Sequence, residues 1–281
     1  EEQLIEDAAK AAAEADVVLF FGGLNKDYHQ DSEGGDRIAY GLPYNQDNVI
    51  EALAAANPNL AVCIISGNAV AMPWVAQVPA IVECWYCGSQ AGNSIADVVF
   101  GKVNPSGKLP FTFPVKIEDS PAHALDAYTC GPDVKYKESI YIGYRWFDTK
   151  GIKPLFAFGH GLSYTEFEYS DFKASSSVSA NGTLKASVKV KNIGSREGKE
   201  VVQLYIGEQS PVIDRPAKEL KAFEKVSLAP GETKTVKFEI PASDLAYFNA
   251  ESHVLDPAHT FTAYFAAASD DIRGTVEFRT K

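Results

Sequence analysis

The sequence predicts an α/β layered sandwich with a mainly parallel sheet, only part of which is present, followed by an all-β sandwich. Apolar runs at residues 17–21, 60–66 and 79–85 alternate with helical patterns, as in a sheet covered on both faces. From residue 167 onward the apolar residues recur with a period of two, which is typical of half-buried strands. We therefore expect an α/β domain at 1–114, a connecting segment at 115–164 and a β-sandwich at 165–281.

The α/β part opens with a helix over residues 1–15, whose apolar residues have helical spacing: Leu4, Ile5, Ala8, Ala9, Ala12 and Ala13. Further helices are predicted from Asn45 to the breaker at 57–59 and over 88–100, and residues 67–74 form a loop or short helix. Three strands are few for such a domain, and no strand precedes the first helix. We expect the chain to be a fragment, or its partner strands to come from another segment.

The connecting region is rich in glycine, proline and aromatic residues. It contains a turn cluster at 104–108, a predicted short strand at 109–113 and an irregular stretch at 115–134. Dense aromatic residues, as at 154–164, most often wedge two domains together. His160, between two glycines, is better explained as a hydrogen-bonded structural group than as a ligand or general base.

The β part shows turns at intervals close to those of a sandwich. Strands are predicted around residues 167–174, 184–191, 201–206, 220–228, 233–240, 247–254, 260–266 and 275–279. Asn181-Gly182 and Pro230-Gly231 are predicted as hairpin-type turns. This half contains no paired acids, metal-ligand spacing or phosphate loop, so we expect the chemistry to lie in the first half.

Composition limits the classes of partner. The chain has 281 residues, 46% of them hydrophobic, and a net charge of −11, which repels polyanions and disfavours nucleic acid. Apolar runs are too short for a membrane helix, and we expect no membrane partner. The sequence does not determine the cellular compartment, although it slightly favours a secreted or periplasmic location. A homo-oligomer is a further candidate partner.

Four cysteines are present: Cys63, Cys84, Cys87 and Cys130. The spacing of Cys84 and Cys87 matches a redox pair or half a zinc site, but the first cysteine ends a strand instead of beginning a helix, and no second pair has zinc spacing. Inert packing is the favoured interpretation. We expect neither a metal nor a cofactor.

The loop at residues 23–37 is the candidate site. It leaves the carboxyl end of a predicted strand, where ligands collect in open α/β sheets. Glu33 stands before two glycines, which allow a tight turn that could fix a carboxylate for proton transfer. Asp31, Asp36 and Arg37 flank it. By composition alone a charged loop is more often simply solvated, and Gly22-Gly23 lacks the spacing of a dinucleotide-binding turn.

Several ordered stretches resemble the C-terminal part of family 3 glycoside hydrolases, the β-glucosidase and β-xylosidase type enzymes. They lie at residues 23–37, 42–43, 80–86, 104–110, 142–145 and 158–164. Residues 191–194 and 221–225 are similar to the immunoglobulin/fibronectin III-like domain that follows in many members. The resemblance covers essentially the whole chain.

The resemblance implies a retaining exo-β-glycosidase that removes terminal β-linked glucose from oligosaccharides or glycosides. It implies that Glu33, four positions before Arg37, is the acid/base residue, with Asp31 as the fallback. The nucleophilic aspartate would lie in a (β/α)8 barrel segment absent from this chain, so the fragment alone is expected to be inactive. Arg37 could hold a carboxylate or shape the loop, and Asp36 could pair with it.

One alternative stays open: a non-catalytic carbohydrate-binding or assembly module of the same fold. The sequence does not determine which sugar or linkage is preferred, because most contacts to the sugar would come from the absent barrel.

Overall fold

The computed structural model describes residues 1–27, 29–128, 132–248, 253–254 and 259–281. The chain folds as two compact units. The first comprises Glu1–Phe100 with Pro114–Ile117, and the second comprises Gly101–Phe113 with Glu118–Lys281. Cys130 lies outside the described residues.

The first unit is an α/β layer around a parallel sheet of strand order β1-β2-β3. Its elements are α1 (Glu2–Ala13), β1 (Val18–Gly23), α2 (Gln46–Ala56), β2 (Leu60–Ile65), β3 (Ala80–Glu83) and α3 (Ala91–Val99). These elements confirm the predicted α/β fold. The helix predicted over 88–100 begins instead as a 3-10 turn at Gly88–Gln90, and residues 67–74 contain no α-helix.

The core of this unit is built on β2, whose Val62, Cys63 and Ile64 are fully buried. Burial on both faces explains the uninterrupted apolar run in the sequence. α1 packs against α2, and the buried Asn57 after α2 donates to the carbonyls of Ala12 and Ala15 at 2.8 and 2.7 Å. These bonds supply side-chain donors to carbonyls at the end of α1, where intrahelical donors run out.

The parallel register brings the carboxyl ends of the three strands together. Gly23 pairs with Ile65, and Ile64 pairs with Glu83. Consequently the loops that follow β1, β2 and β3 all leave the sheet at the same edge.

The second unit begins with the connecting region, which contains α4 (Pro121–Ala124) and α5 (Tyr144–Lys150). The strand predicted at 109–113 is wrong. Leu109 exchanges two backbone hydrogen bonds with the 159–160 turn, and Phe113 forms an isolated bridge with Phe156. Pro110 between them has no N–H to donate, so no continuous ladder forms.

The all-β part has ten strands among the described residues: β4 (Phe167–Ala174), β5 (Ser177–Val178), β6 (Thr183–Asn192), β7 (Gly198–Glu208), β8 (Glu219–Leu228), β9 (Thr233–Pro241), β10 (Tyr247–Phe248), β11 (His253–Val254), β12 (Thr260–Ala268) and β13 (Asp271–Thr280). A five-stranded sheet of order β5-β13-β12-β7-β8 and a three-stranded sheet of order β4-β6-β9 supply the side chains of one core.

Two predictions about this part are wrong in detail. The strand predicted at 247–254 is an antiparallel pair of two-residue strands, with residues 249–252 outside the described part. The turns at Asn181-Gly182 and Pro230-Gly231 are present, but they join β5 to β6 and β8 to β9, strands of different sheets. Such dipeptides fix a tight turn, whereas the face that each strand buries decides its partner.

Aromatic residues of the connecting region contact the β-sandwich within the same unit. Tyr144 on α5 stacks on Phe158 at 4.9 Å between ring centroids and meets the buried Tyr205 edge-on at 5.6 Å. His160 stacks on Phe156, and burial lowers its pKa. These contacts attach the segment around 154–164 to β7.

No helix in the described part of the chain is long and apolar enough to cross a membrane.

Asn192 is a buried polar residue on which the sandwich depends. Its amide donates to the carbonyls of Arg196 and Leu228, and its oxygen accepts from Thr165 and the Gly194 N–H. We expect Asn192→Ala to lower the free energy of unfolding by about 2–4 kcal/mol, because four partners lose their bonds and two of them, Thr165 and Leu228, are buried. Urea denaturation measures this. The exposed Asn181→Ala is the control, expected within about 0.5 kcal/mol of the parent, and equal losses for both variants would contradict the assignment.

Candidate active site

The start of the Glu33 loop is fixed by Gln46, the first residue of α2. Its side-chain oxygen accepts from the Gly23 N–H at 2.7 Å, and its amide donates to the carbonyls of Gly23 and Pro43 at 2.9 Å each. A side chain therefore continues the pairing of β1 where the strand ends, and the loop leaves the sheet in a defined direction.

Glu33 lies at the tip of a two-residue turn. Ser32 and Gly35 form an antiparallel bridge, and Gly34 has φ +85°. A positive φ at the second central position is typical of a type II turn, which explains why glycine follows Glu33. The Glu33 side chain is exposed, and none of the described residues donates a hydrogen bond to its carboxylate. The turn thus presents an unoccupied carboxylate.

Asp31 anchors the loop on one side of this turn. Its Oδ2 accepts from the Gly67 N–H at 2.9 Å and from the Tyr86 hydroxyl at 2.6 Å, while Oδ1 accepts from the Asn68 amide at 2.8 Å. Burial, followed by the bond to Asp31, raises the pKa of Tyr86, so the phenol remains a donor. Three donors occupy the Asp31 carboxylate, which ties the loop to segments that follow β2 and β3.

Arg37 anchors the loop on the other side. Its guanidinium donates to the Asn68 side-chain oxygen, to the Ala69 carbonyl at 2.8 Å and to the Tyr40 carbonyl at 3.2 Å, and it lies 5.5 Å from the centre of the Tyr40 ring. Burial lowers its pKa, and Tyr40, Asp31 and Tyr86 oppose that shift. A guanidinium still keeps its charge. The sequence left the role of Arg37 open, and these contacts shape the loop.

Asn68 therefore binds both anchors at once. Its amide donates to Asp31, and its oxygen accepts from Arg37. We call Asp31, Asn68 and Arg37 the loop clamp. The approach is close: a Cβ on Gly67 would stand 2.6 Å from the Asp31 carboxylate, so this neighbour of Asn68 has room for a hydrogen only.

Asp36 lies outside the clamp. Its side chain is exposed, and its carbonyl oxygen is 2.9 Å from the ring Nδ1 of His29. Of the four residues that the sequence singled out, the structure joins Asp31 and Arg37 through Asn68, leaves Glu33 open between them, and places Asp36 at the exposed end of the turn.

Sequence reasoning missed Glu83, the last residue of β3. Its half-buried carboxylate accepts from the Trp85 N–H at 3.1 Å and lies 3.3 Å from the Ser66 hydroxyl. Burial raises its pKa to about 7, although hydrogen bonds from Trp85 and Ser66 oppose the shift. The available signal was a lone acid at the end of an apolar strand that pairs with the strand before Ser66. Asn68 and Tyr86 were missed too, because only the fold brings them to Asp31.

Three cysteines are close to the site, and two of them are packed in the interior. Cys63 and Cys84 are buried, and Cys87 is exposed. The contact with Cys63, followed by burial, raises the pKa of the Cys84 thiol, which disfavours a thiolate. Among the described residues, no group of three or more His, Cys, Asp or Glu side chains is arranged to hold a metal ion.

The clamp predicts that Asn68→Ala loosens the Glu33 turn, because Asp31 and Arg37 lose their shared partner in one step. We expect the amides of residues 31–37 to exchange hydrogen faster and the free energy of unfolding to fall by about 1–3 kcal/mol. Hydrogen-exchange mass spectrometry and urea denaturation measure the two effects. The exposed Asn48→Ala on α2 is the matched control, and unchanged exchange in Asn68→Ala would contradict the clamp.

Because the pKa of Glu83 is raised in the folded protein, we expect the stability to depend on pH. A carboxyl whose pKa rises from 4.5 to about 7 on folding stabilises the protein fully below pH 4.5, and this contribution is lost as the pH rises through 7. Relative to Glu83→Gln, we expect the parent to lose about 2 kcal/mol of unfolding free energy between pH 5 and pH 8. Glu51→Gln in the same unit is the control, and a difference independent of pH would refute the shift.

Two family models match this chain. The model of the glycosyl hydrolase family 3 C-terminal domain matches residues 2–164, and that of the fibronectin type III-like domain matches residues 200–269. The first match contains the clamp, the Glu33 turn and Glu83, and the second lies within the β-sandwich.

Individual relatives are similar over nearly the whole chain. Beta-glucosidase BoGH3A of Bacteroides ovatus is 51% identical over 99% of this chain, and thermostable beta-glucosidase B of Acetivibrio thermocellus is 48% identical over 89%. The beta-glucosidase of Kluyveromyces marxianus in complex with glucose superposes with a TM-score of 0.91 at 38% identity, covering 100% of this chain.

The chain spans only 38% and 33% of the two curated relatives and 33% of the solved structure. With a family model over more than half of its residues and both parts of the fold in place, the chain belongs to glycoside hydrolase family 3, as a C-terminal α/β domain followed by a fibronectin type III-like domain.

Proposed function

We propose that this chain is part of a retaining exo-β-glycosidase of the β-glucosidase type and that Glu33 is its general acid/base residue. The observation that carries the proposal is the open carboxylate of Glu33 on a glycine turn whose two sides are anchored by the loop clamp. Terminal β-linked glucose in oligosaccharides or glycosides is the proposed substrate. The names of the relatives support this, and one solved relative holds glucose.

Retaining hydrolysis needs two carboxyl groups about 5 Å apart. One attacks the anomeric carbon, and the other protonates the leaving oxygen and then removes a proton from the attacking water. Glu33 would perform the second role. We propose that the nucleophile, an aspartate, lies in a barrel segment outside this chain, so that these 281 residues alone do not turn over substrate.

The contacts favour Glu33 over Asp31 for the proton transfer. The Asp31 carboxylate already accepts three hydrogen bonds, and leaving them would release the loop. The Glu33 carboxylate accepts no hydrogen bond from the described residues. Its position between the anchored residues Asp31 and Arg37 restricts where its oxygens can lie. A pre-positioned proton donor is what the reaction requires. Arg37 acts through the backbone it holds, and we assign it no contact with the sugar.

The experiment is hydrolysis of aryl and alkyl β-glucosides by the intact protein with Glu33→Ala. We expect the alkyl glucoside, a poor leaving group, to lose about 10²–10⁴-fold in kcat/KM, because its oxygen must be protonated. A dinitrophenyl glucoside needs no such help and should react nearly normally in its first step. Added azide should restore turnover of that substrate and give β-glucosyl azide, since azide attacks the glycosyl enzyme without a base.

Glu51→Ala, on α2 of the same unit, is the control for a lost glutamate. If Glu33→Ala hydrolyses both substrates like the parent protein, Glu33 is not the acid/base residue and Asp31 is tested next. If the intact protein hydrolyses no β-glycoside, the proposal of an enzyme is wrong, and the alternative of a non-catalytic carbohydrate-binding or assembly module takes its place.

A further inference from the structure

Glu83 is a buried titratable group that the proposed mechanism does not use. It is the last residue of β3, where the strand end meets the end of β2. Its Oε1 accepts from the Trp85 N–H at 3.1 Å, and its two carboxyl oxygens lie 3.3 and 3.4 Å from the Ser66 hydroxyl. Glu83 therefore contacts the segments that follow β2 and β3.

Ser66 has one hydroxyl proton and two neighbours that could accept it. The Asn68 carbonyl is 2.8 Å away, clearly closer than either oxygen of Glu83. A hydroxyl donates once, so the proton goes to Asn68 and the lone pairs of Ser66 Oγ face Glu83. An ionised Glu83 would meet those lone pairs with a negative charge. A protonated Glu83 would instead donate to Ser66 Oγ and complete a relay from Glu83 through Ser66 to Asn68.

This relay ends at the loop clamp. The Asn68 backbone is held by Ser66, and its side chain binds Asp31 and Arg37. The Ser66 hydroxyl thus bonds the backbone of the residue whose side chain joins Asp31 to Arg37.

The second contact of Glu83 leads to the same carboxylate. Trp85, whose N–H it accepts, has φ +51°, a left-handed conformation that is strained for a bulky residue. The next residue, Tyr86, donates its hydroxyl to Asp31. All three donors to Asp31, from Gly67, Asn68 and Tyr86, therefore lie in segments bonded to Glu83.

We propose that Glu83 is a positioning residue for the Glu33 loop: it holds the loop clamp by donating a proton to Ser66, and it releases the clamp when it ionises. No bond is made or broken except the O–H bond of Glu83, whose proton passes to solvent on ionisation. Ser66 then turns its own proton toward the carboxylate and away from Asn68. The consequence for activity rests on the proposed role of Glu33, whereas the relay itself does not.

The surroundings agree with a neutral carboxyl at moderate pH. Burial raises the pKa of Glu83 to about 7 against the opposing effect of the Trp85 and Ser66 N–H groups, which donate to its carboxylate. Cys84 and Tyr86 are titratable groups that interact with it electrostatically. Cys63 on β2 contacts Cys84, and the charged groups of the loop, Asp31 and Arg37, contact Asn68. The relay is therefore complete below neutral pH and is lost above it.

The substitution Glu83→Gln distinguishes a proton-donating role of Glu83 from a merely structural one. In Glu83→Gln the amide N–H₂ can donate to Ser66 Oγ at every pH, and the amide oxygen can accept from Trp85. Glu83→Leu cannot do either, and Ser66→Ala removes the middle of the relay. Glu51→Gln on α2 is the control for a glutamate changed to glutamine in the same unit.

The first readout is hydrogen exchange in the intact protein at pH 5 and pH 9, corrected for intrinsic rates, over residues 31–37 and 66–70. We expect the parent and Glu51→Gln to be protected from exchange at pH 5 and to lose that protection at pH 9. Glu83→Gln should stay protected at both pH values. Glu83→Leu and Ser66→Ala should lack protection at both pH values. Equal protection of the parent at both pH values, or equal behaviour of Glu83→Gln and Glu83→Leu, would overturn the relay.

The second readout is the pH profile of kcat with a dinitrophenyl β-glucoside. At pH 8, one unit above the pKa of Glu83, only about a tenth of the parent is protonated, so Glu83→Gln should exceed it by up to about tenfold. If kcat of the parent and of Glu83→Gln falls in the same way at alkaline pH, Glu83 is not a positioning residue. If exchange behaves as expected while Glu33→Ala hydrolyses like the parent, the relay stands and the proposed function of Glu33 fails.

Discussion

The candidate site depends on the hydrogen bonds that the side-chain amide of Asn68 forms with Asp31 and Arg37. One side chain donates to Asp31 and accepts from Arg37, so the two residues that bracket Glu33 are held by a single group. A long polar loop would otherwise keep its conformational entropy, and its glutamate would sample many positions. With both sides anchored, Glu33 lies on a short turn closed by the Ser32–Gly35 bridge, and a proton donor needs such restriction.

The clamp exists because three parallel strands end together. Asp31 and Arg37 follow β1, Asn68 follows β2, and Tyr86 and Glu83 belong to the end of β3. No two of these segments are adjacent in sequence. The apolar sheet supplies the rigid base, and polar side chains at its edge form one hydrogen-bonded network. The same closeness to the apolar sheet buries Glu83 and raises its pKa, which couples the network to pH.

Much of the fold was predictable from the sequence, because the spacing of apolar residues shows which face of a helix or strand is buried. The three apolar runs and the alternating β half gave the right elements, and the glycines around Glu33 indicated a tight turn. Failures have physical causes. Pro110 interrupts the strand expected at 109–113, and the turns at Asn181 and Pro230 join different sheets, which no local pattern encodes. Asn68 carries no local signal, and the only local signal of Glu83 is its place at the end of an apolar strand, since the importance of both residues arises from the register between strands.

The most direct test of this account is a crystal structure of the intact protein trapped as a 2-deoxy-2-fluoroglucosyl enzyme. The sugar identifies the nucleophile, and the distance from its carboxyl group to that of Glu33 can be measured. We expect about 5 Å between the two carboxyl groups, with Asp31 and Arg37 still bound to Asn68. A Glu33 carboxyl group more than about 10 Å from the trapped sugar, with another acid at the shorter distance, would contradict it.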